Sequence, residues 1–192
     1  MWNERFGCWP NGGQAMSSRI PLPPVRIPHN VPIHYERFTD RFHGFEDVEA
    51  VRTIFGPRTR QVLRSLRVEY FSVPWGYMGV SDTDGHLIVS THYLKKGKPR
   101  DIYLDIVHEL VHVRQFGEGK QLFPDGIGYA DTPTEIEAYK HCLAEGRRLG
   151  MTERDLFEYL RVEWINEKEL RQLARNVGVK APPLKKGKRT KR

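Results

Sequence analysis

The sequence contains only two cysteines, Cys8 and Cys142, among its 192 residues. Two cysteines are too few for a disulfide framework, and these two lack the paired spacing of a zinc site built on thiolates. No apolar run approaches the roughly 20 residues that a membrane-spanning helix needs. The N-terminus also lacks a basic segment followed by an apolar stretch, as a secretory signal would have. We therefore expect free thiols, no membrane span and a cytoplasmic location.

The formal net charge of +7 is concentrated at the C-terminus. Seven of the last thirteen residues are lysine or arginine, and without them 24 basic residues balance 24 acidic ones. Residues 179–192 are therefore predicted to form a basic, disordered tail. Such a tail can neutralise the phosphates of a nucleic acid, or it can simply keep the chain in solution. In the first case the chain would be a nucleic-acid-associated regulatory protein. Any zinc site in it would then have a structural or minor catalytic role.

Proline divides the chain into an arm and a domain. Residues 1–44 contain six of the 13 prolines, and proline disfavours both helices and central strands. This segment is predicted to be a proline-rich, extended arm whose later aromatic residues lie partly on the domain surface. Residues 45–178 are long enough for one domain with its own core.

Hydrophobic periodicity predicts an α+β fold for this domain. Two short helices are expected between Phe45 and Leu66, followed by strand-like runs that end with "HLIVS" and form a hairpin. A longer helix is predicted from about Pro99, a favoured first-turn residue, to about Gly117, a favoured stop. Helices opening at Thr132, Thr152 and Asn166 should follow. The small sheet would then pack against the long helix.

The long helix carries a possible metal site in the pattern His108-Glu109-Leu110-Val111-His112. On a helix with about 100° per residue, the two histidines stand about 40° apart and one turn removed, so both imidazoles can reach one ion. Apolar residues gather on the opposite side of this helix. The histidines are therefore expected to face a cleft rather than open solvent.

A catalytic zinc site needs a third protein ligand and leaves one position for water. Glu118 lacks the preceding glycine of a metzincin, where Gln115 stands instead, and His141 lies on the polar side of its helix. Glu135 lies in the middle of the apolar arc of that same helix, whereas Glu137 points about 200° away from Glu135. A carboxylate in that arc needs compensation, which a metal ion would supply. Glu135 is therefore the favoured ligand. Two alternatives stay open: Glu135 closes a capping box with Thr132, or Glu137 is the ligand.

The motif "HELVH", followed 23 residues after His112 by "EIEAY", resembles the gluzincin branch of zinc metallopeptidases. Among these, the short ImmA/IrrE-like proteins are the most similar. The resemblance implies a zincin-like fold, Zn²⁺ as the cofactor, and a peptide or protein as the substrate. It also implies His108, His112 and Glu135 as metal ligands and Glu109 as the catalytic base. Tyr139 stands where the related patterns often have Asp or Asn.

Several neighbouring groups are candidates for supporting roles. Asp105, one turn before Glu109, could orient a ligand histidine through its other ring nitrogen, or it could be a helix carboxylate without such a role. The oxyanion of peptide hydrolysis needs a donor, for which the candidates are Tyr139, Tyr129, Arg114 and His92. The strand "HLIVS" would be the edge strand to which an extended substrate adds, or alternatively an interior strand of the sheet.

Overall fold

The computed structural model describes residues 21–73 and 76–183, which form a mixed α/β fold with a small sheet and several helices. The first 20 residues of the predicted arm and residues 184–192 of the predicted tail lie outside these described residues. In the described part of the chain, no helix is both long enough and apolar enough to cross a membrane.

The sheet has four short strands in the order β1-β2-β4-β3. Its strands are β1 (Tyr35–Arg37), β2 (Arg67–Phe71), β3 (Met78–Val80) and β4 (Leu87–Ser90). The central pair β2 and β4 is parallel, whereas both outer strands are antiparallel to their neighbours. Val68 and Tyr70 of β2 and Leu87 and Val89 of β4 are buried, which is the alternation expected where one face of a sheet covers a core.

Eight α-helices surround this sheet in the described residues. They are α1 (Phe38–Arg41), α2 (Glu49–Phe55), α3 (Thr59–Ser65), α4 (Thr91–Lys96), α5 (Pro99–Gly117), α6 (Pro133–Arg148), α7 (Glu153–Tyr159) and α8 (Glu167–Asn176). The predicted long helix is confirmed with both of its bounds. Capping boxes at Thr152 and Asn166 open α7 and α8, as their sequences predict.

The strand β4, which contains "HLIVS", lies in the interior of the sheet. It pairs with β2 on one side and with β3 on the other, so the prediction of an open substrate-binding edge at β4 is wrong. The edge on that side belongs to β3. The reason is a long-range parallel pairing with β2, which local patterning does not reveal. Helix α4, which the sequence did not predict, separates β4 from α5.

Residues on both sides of the predicted domain pack with it. Phe38 and Phe42, from the segment assigned to the arm, are buried in the core beside Phe45, and β1 joins the sheet. At the other end, Val179 is buried and the Lys180 amide donates to Glu153. Burial of these apolar side chains extends the packed unit beyond residues 45–178 at both ends.

Candidate metal centre

Helix α5 brings its motif residues into the interior of the protein. Leu104, Val107 and Leu110 are fully buried on one side, and this anchors the helix so that its polar strip also faces protein. His108, Glu109 and His112 on that strip are consequently buried as well. Buried polar groups are costly without partners, so the surroundings of these three side chains decide their chemistry.

Side-chain atoms of three candidate ligand residues converge at the polar strip. The Nε2 atoms of His108 and His112 lie 3.0 Å apart. Glu135 Oε2 lies 3.3 Å from His108 Nε2, and Glu135 Oε1 lies 3.4 Å from His112 Nε2. In a tetrahedral zinc site with metal–ligand distances of about 2.0–2.1 Å, neighbouring ligand atoms are about 3.3 Å apart. The observed separations are close to the edge length of such a tetrahedron, with a different oxygen of Glu135 facing each histidine.

The donor set also fits a metal ion chemically. His108, His112 and Glu135 form a buried group that could hold one ion. Glu135 Oε2 has no hydrogen-bond partner among the described residues, although an isolated buried carboxylate oxygen is costly. A cation at the point shared by the three atoms would satisfy that oxygen, which supports the fit.

Helix α6 presents Glu135 in its first turn. The helix begins at Pro133, whose missing N–H costs nothing at this position. The Thr132 hydroxyl donates to the Gly128 carbonyl oxygen, and its side chain accepts no hydrogen bond from the first turn of α6. The alternative of a capping box between Thr132 and Glu135 is therefore wrong, and the Glu135 carboxylate is directed to the histidines.

The other candidate third ligands lie elsewhere. Glu137 binds Arg114 at 2.5 Å and Lys120 at 3.0 Å, and Glu118 also pairs with Lys120, at 3.1 Å. His141 is half-buried outside the three-residue group. Its pKa is lowered by burial first and by the nearby Arg114 second. Glu118 and Glu137 thus belong to an ion-pair network with Arg114 and Lys120 beside the site.

Glu135 and His112 influence each other's pKa within this group. Burial alone would raise the pKa of Glu135, but the nearby imidazoles of His108 and His112 outweigh it and lower that pKa well below the usual range. Burial would lower the pKa of His112, yet Glu135 and Glu109 raise it to about 9. Both shifts favour the charged forms of Glu135 and His112, as expected for a carboxylate next to a cationic partner.

Gln115 orients His112, a role that sequence reasoning missed. Its Oε1 atom lies 2.7 Å from His112 Nδ1, and its Nε2 atom donates to the Thr134 carbonyl oxygen at 3.0 Å and to Glu137 Oε2 at 2.8 Å. The signal available in the sequence was its position one turn after His112. Without the position of α6, that spacing alone does not reveal the bonds.

Asp105 does not take the orienting role that the sequence suggested for it. Its carboxylate accepts hydrogen bonds from the hydroxyls of Tyr93 and Tyr159, while His108 Nδ1 has no hydrogen-bond partner in the part of the chain that the structure describes. Burial raises the pKa of Asp105, and the two tyrosine hydrogen bonds oppose this effect. Both tyrosines come from other helices, so no local pattern could have predicted the contact.

Glu109 lies beside the candidate ligands with one oxygen free. Its Oε2 atom is buried and unpaired within the described residues. Burial raises the pKa of Glu109, and the neighbouring His108 and His112 partly offset that rise. A carboxyl group with these properties can take up and release a proton at that oxygen.

A cleft of about 640 Å³ opens onto these residues. Tyr77, Met78 and Gly79 line it from the side of β3. Its other wall includes Glu158, Tyr159, Arg161, Val162 and Trp164. Among the candidate oxyanion donors, Tyr129 and Tyr139 line the cleft, with their hydroxyls 2.8 Å apart. The other two candidates, Arg114 and His92, are not among the described residues that line the cleft.

The two walls meet through the segment that follows α7. The Tyr77 hydroxyl donates to Glu163 Oε1 at 2.8 Å, although 86 residues separate them. Trp164 contacts the ring of Tyr77 at 6.3 Å and that of Tyr129 at 5.7 Å between centroids, both edge-on. Tyr139 in turn contacts His108 edge-on at 4.5 Å. Aromatic contacts of this kind are favourable and connect the cleft wall to the metal centre.

Comparison with family models, curated proteins and solved structures found no match to this chain. The chemistry of the site therefore has to be derived from its own residues. Those residues combine two imidazoles, one carboxylate directed at them, a second carboxylate and two hydroxyls at a single cleft.

Proposed function

We propose that this chain is a zinc-dependent peptidase with a zincin-like arrangement of sheet, motif helix and ligand helix. The observation that carries the proposal is the convergence of Glu135 on His108 and His112, at distances of 3.3 and 3.4 Å. Two imidazoles and one carboxylate are a donor set typical of catalytic zinc, with a fourth position left open. Zinc, when bound, supplies Lewis acidity that lowers the pKa of a water molecule and polarises the carbonyl of the scissile bond.

Glu109 is the general base in this proposal. Its free Oε2 atom accepts the proton of the attacking water and later donates it to the amine that leaves. Burial favours its protonated form and the adjacent histidines favour its ionised form, so both states are accessible during one cycle. Glu109 directly follows His108 in the chain, and both residues line the cleft.

The paired hydroxyls of Tyr129 and Tyr139 supply the donor for the oxyanion: one hydroxyl donates to the other, and the second proton is left for the substrate. Their hydroxyls are paired at 2.8 Å and line the cleft, and burial raises the pKa of both above the ordinary range for tyrosine. Both hydroxyls thus keep their protons at working pH. A hydroxyl that retains its proton can donate a hydrogen bond to the charge that develops on the carbonyl oxygen.

The substrate in this proposal is an extended peptide lying beside β3. This strand pairs on one side with β4 and contributes Met78 and Gly79 to the cleft. A peptide that adds to a strand edge gains main-chain hydrogen bonds with little dependence on sequence. The cleft, at about 640 Å³, has the size of a pocket that holds a small ligand or a short stretch of chain.

The decisive experiment replaces Glu109 by Gln. We expect Glu109→Gln to retain zinc and to lose cleavage of a fluorogenic casein or peptide mixture by about 10²–10⁴-fold, because the amide cannot accept the proton. Glu49→Gln, at an exposed carboxylate of α2 outside the residues that line the cleft, serves as the matched control and should cleave at a rate close to the parent's. A Glu109→Gln protein that cleaves as fast as the parent would overturn the proposal.

A further inference from the structure

The side-chain amide of Gln115 is fully used by hydrogen bonds in the interior. Gln115 has an exposure of 0%, and its amide is held between His112 on its own helix and Thr134 and Glu137 on α6. Its single carbonyl oxygen and both of its N–H groups each have one partner. Every polar group of this buried side chain is therefore satisfied, as a well-ordered interior requires.

The identity of the partners decides which way the amide faces. A main-chain carbonyl and a carboxylate can only accept hydrogen bonds, so the NH₂ group of Gln115 must face Thr134 and Glu137. The Oε1 atom must then face His112 Nδ1, and that nitrogen must carry a proton. A flipped amide would place oxygen against both acceptors and would lose the two bonds to α6.

A proton on Nδ1 leaves the lone pair of the neutral imidazole on Nε2. That is the His112 atom that lies 3.0 Å from His108 Nε2 and 3.4 Å from Glu135 Oε1. Thr134 directly precedes Glu135, so the same amide also ties the first turn of α6 to α5. One side chain thus controls the orientation of one ligand and the distance to another.

We infer that Gln115 is the positioning residue of the metal centre and that Glu137 acts through it. Glu137 accepts from the Gln115 amide and is itself held by Arg114 and Lys120, which makes its bond to the amide charge-assisted and strong. This arrangement supplies the orienting bond at a site where Tyr139 stands in place of the Asp or Asn of similar patterns. The inference rests on the proposed metal site but not on peptide cleavage.

The first test measures zinc affinity by competition with a chromophoric chelator. Gln115→Met removes all three hydrogen bonds at similar volume, and we expect affinity to fall about 10–100-fold. Glu137→Gln weakens only the bond that holds the amide and should give a smaller loss. Glu118→Gln is the matched control, because Glu118 also pairs with Arg114 and Lys120 but makes no bond to Gln115. Its affinity should equal that of the parent.

The second test follows the His112 Nδ1 proton by NMR in the zinc-loaded, ¹⁵N-labelled protein. This proton should exchange slowly with water in the parent and in Glu118→Gln, and fast in Gln115→Met. A loss of packing alone would not change this exchange selectively. If Gln115→Met does not fold, the comparison of Glu137→Gln with Glu118→Gln decides the matter by both measurements.

The possible failures are distinguishable. Equal zinc affinity in the parent, Gln115→Met and Glu137→Gln overturns the positioning role while the peptidase proposal stands. A parent protein that binds no zinc overturns both proposals. Zinc binding with the expected losses, but without peptide cleavage, supports the positioning role and removes the proposed activity.

Discussion

The Nε2 atoms of His108 and His112 lie 3.0 Å apart in the protein interior. One proton or one cation can be shared between two nitrogens at this distance, whereas two protons would repel each other. Both oxygens of Glu135 lie within 3.4 Å of the same pair. The fold therefore brings a carboxylate and two imidazoles to one point, where they could hold a cation.

Removal of metal should destabilise the protein. At a free zinc concentration about 100-fold above the dissociation constant, binding adds about 2.7 kcal/mol to the free energy of unfolding. For a chain of this size, that corresponds to a Tm shift of roughly 5–10 °C. Differential scanning fluorimetry with EDTA, and again after zinc is restored, measures this shift.

The control for that measurement is Glu135→Gln. This variant should show little response to zinc, because an amide is a poor replacement for an anionic ligand. His141→Ala should respond like the parent, since His141 lies outside the ligand group. An unchanged response in Glu135→Gln would remove Glu135 from the site.

The paired hydroxyls in the cleft should contribute to the rate of cleavage. Tyr129→Phe removes one hydroxyl of the 2.8 Å pair, and we expect kcat to fall by about 10²-fold with zinc content unchanged. Tyr139→Phe should have a similar effect, and the double variant should lose little more, because groups that act as a unit are not additive. Tyr35→Phe, at an exposed hydroxyl of β1, is the control. The rates are measured by steady-state kinetics with a fluorogenic peptide. Single variants that both match the parent's kcat would contradict the assignment.

The buried carboxylate of Glu145 should give the protein a pH-dependent stability. Glu145 accepts hydrogen bonds from Arg148 at 2.7 Å and from the Tyr103 hydroxyl at 2.6 Å. Burial would raise the pKa of Glu145, but these bonds outweigh it and lower the pKa below the ordinary value of 4.5. The contribution is therefore fully present above pH 4.5 and is lost as the pH falls through the lower, folded-state pKa.

Glu145→Gln tests this expectation. Its free energy of unfolding at pH 7 should be lower than the parent's by about 1.5–3 kcal/mol, the range for hydrogen bonds to a charged group. Urea titrations at pH 7 and at successively lower pH should show the difference between the two proteins shrinking in acid. A difference independent of pH would mean that the ionised form of Glu145 is not the stabilising one.

Deleting residues 184–192 should separate the tail from the domain. Packing contacts continue to Pro182, whose carbonyl oxygen accepts from Arg171, so a truncation after residue 183 leaves them intact. It removes six basic residues and reduces the formal net charge from +7 to +1. We expect Tm and zinc affinity to stay the same.

Nucleic-acid binding by the tail is testable with the same truncation. A tail that neutralises about six phosphates would make log K fall with log salt at a slope of roughly −5, measurable by fluorescence anisotropy on a duplex. The truncated chain should lose that binding. Equal, salt-sensitive binding by both chains would exclude the tail as the contact surface.

Local patterns in the sequence are sufficient to predict the long helix, its polar strip and the apolar arc of α6 that contains Glu135. Each of these depends on a period of 3.6 residues and on nearby start and stop residues, which are local properties of the chain. The distinction between Glu135 and Glu137 follows from the same period, since the two side chains leave α6 in different directions.

Other features of the fold and of the site depend on the tertiary structure. The interior position of β4, the bond between Gln115 and His112 that α6 stabilises, and the contact of Asp105 with Tyr93 and Tyr159 all depend on residues brought together from distant parts of the chain. Such contacts form only when helices and strands pack, because hydrophobic burial selects one arrangement of the elements from many that local periodicity allows.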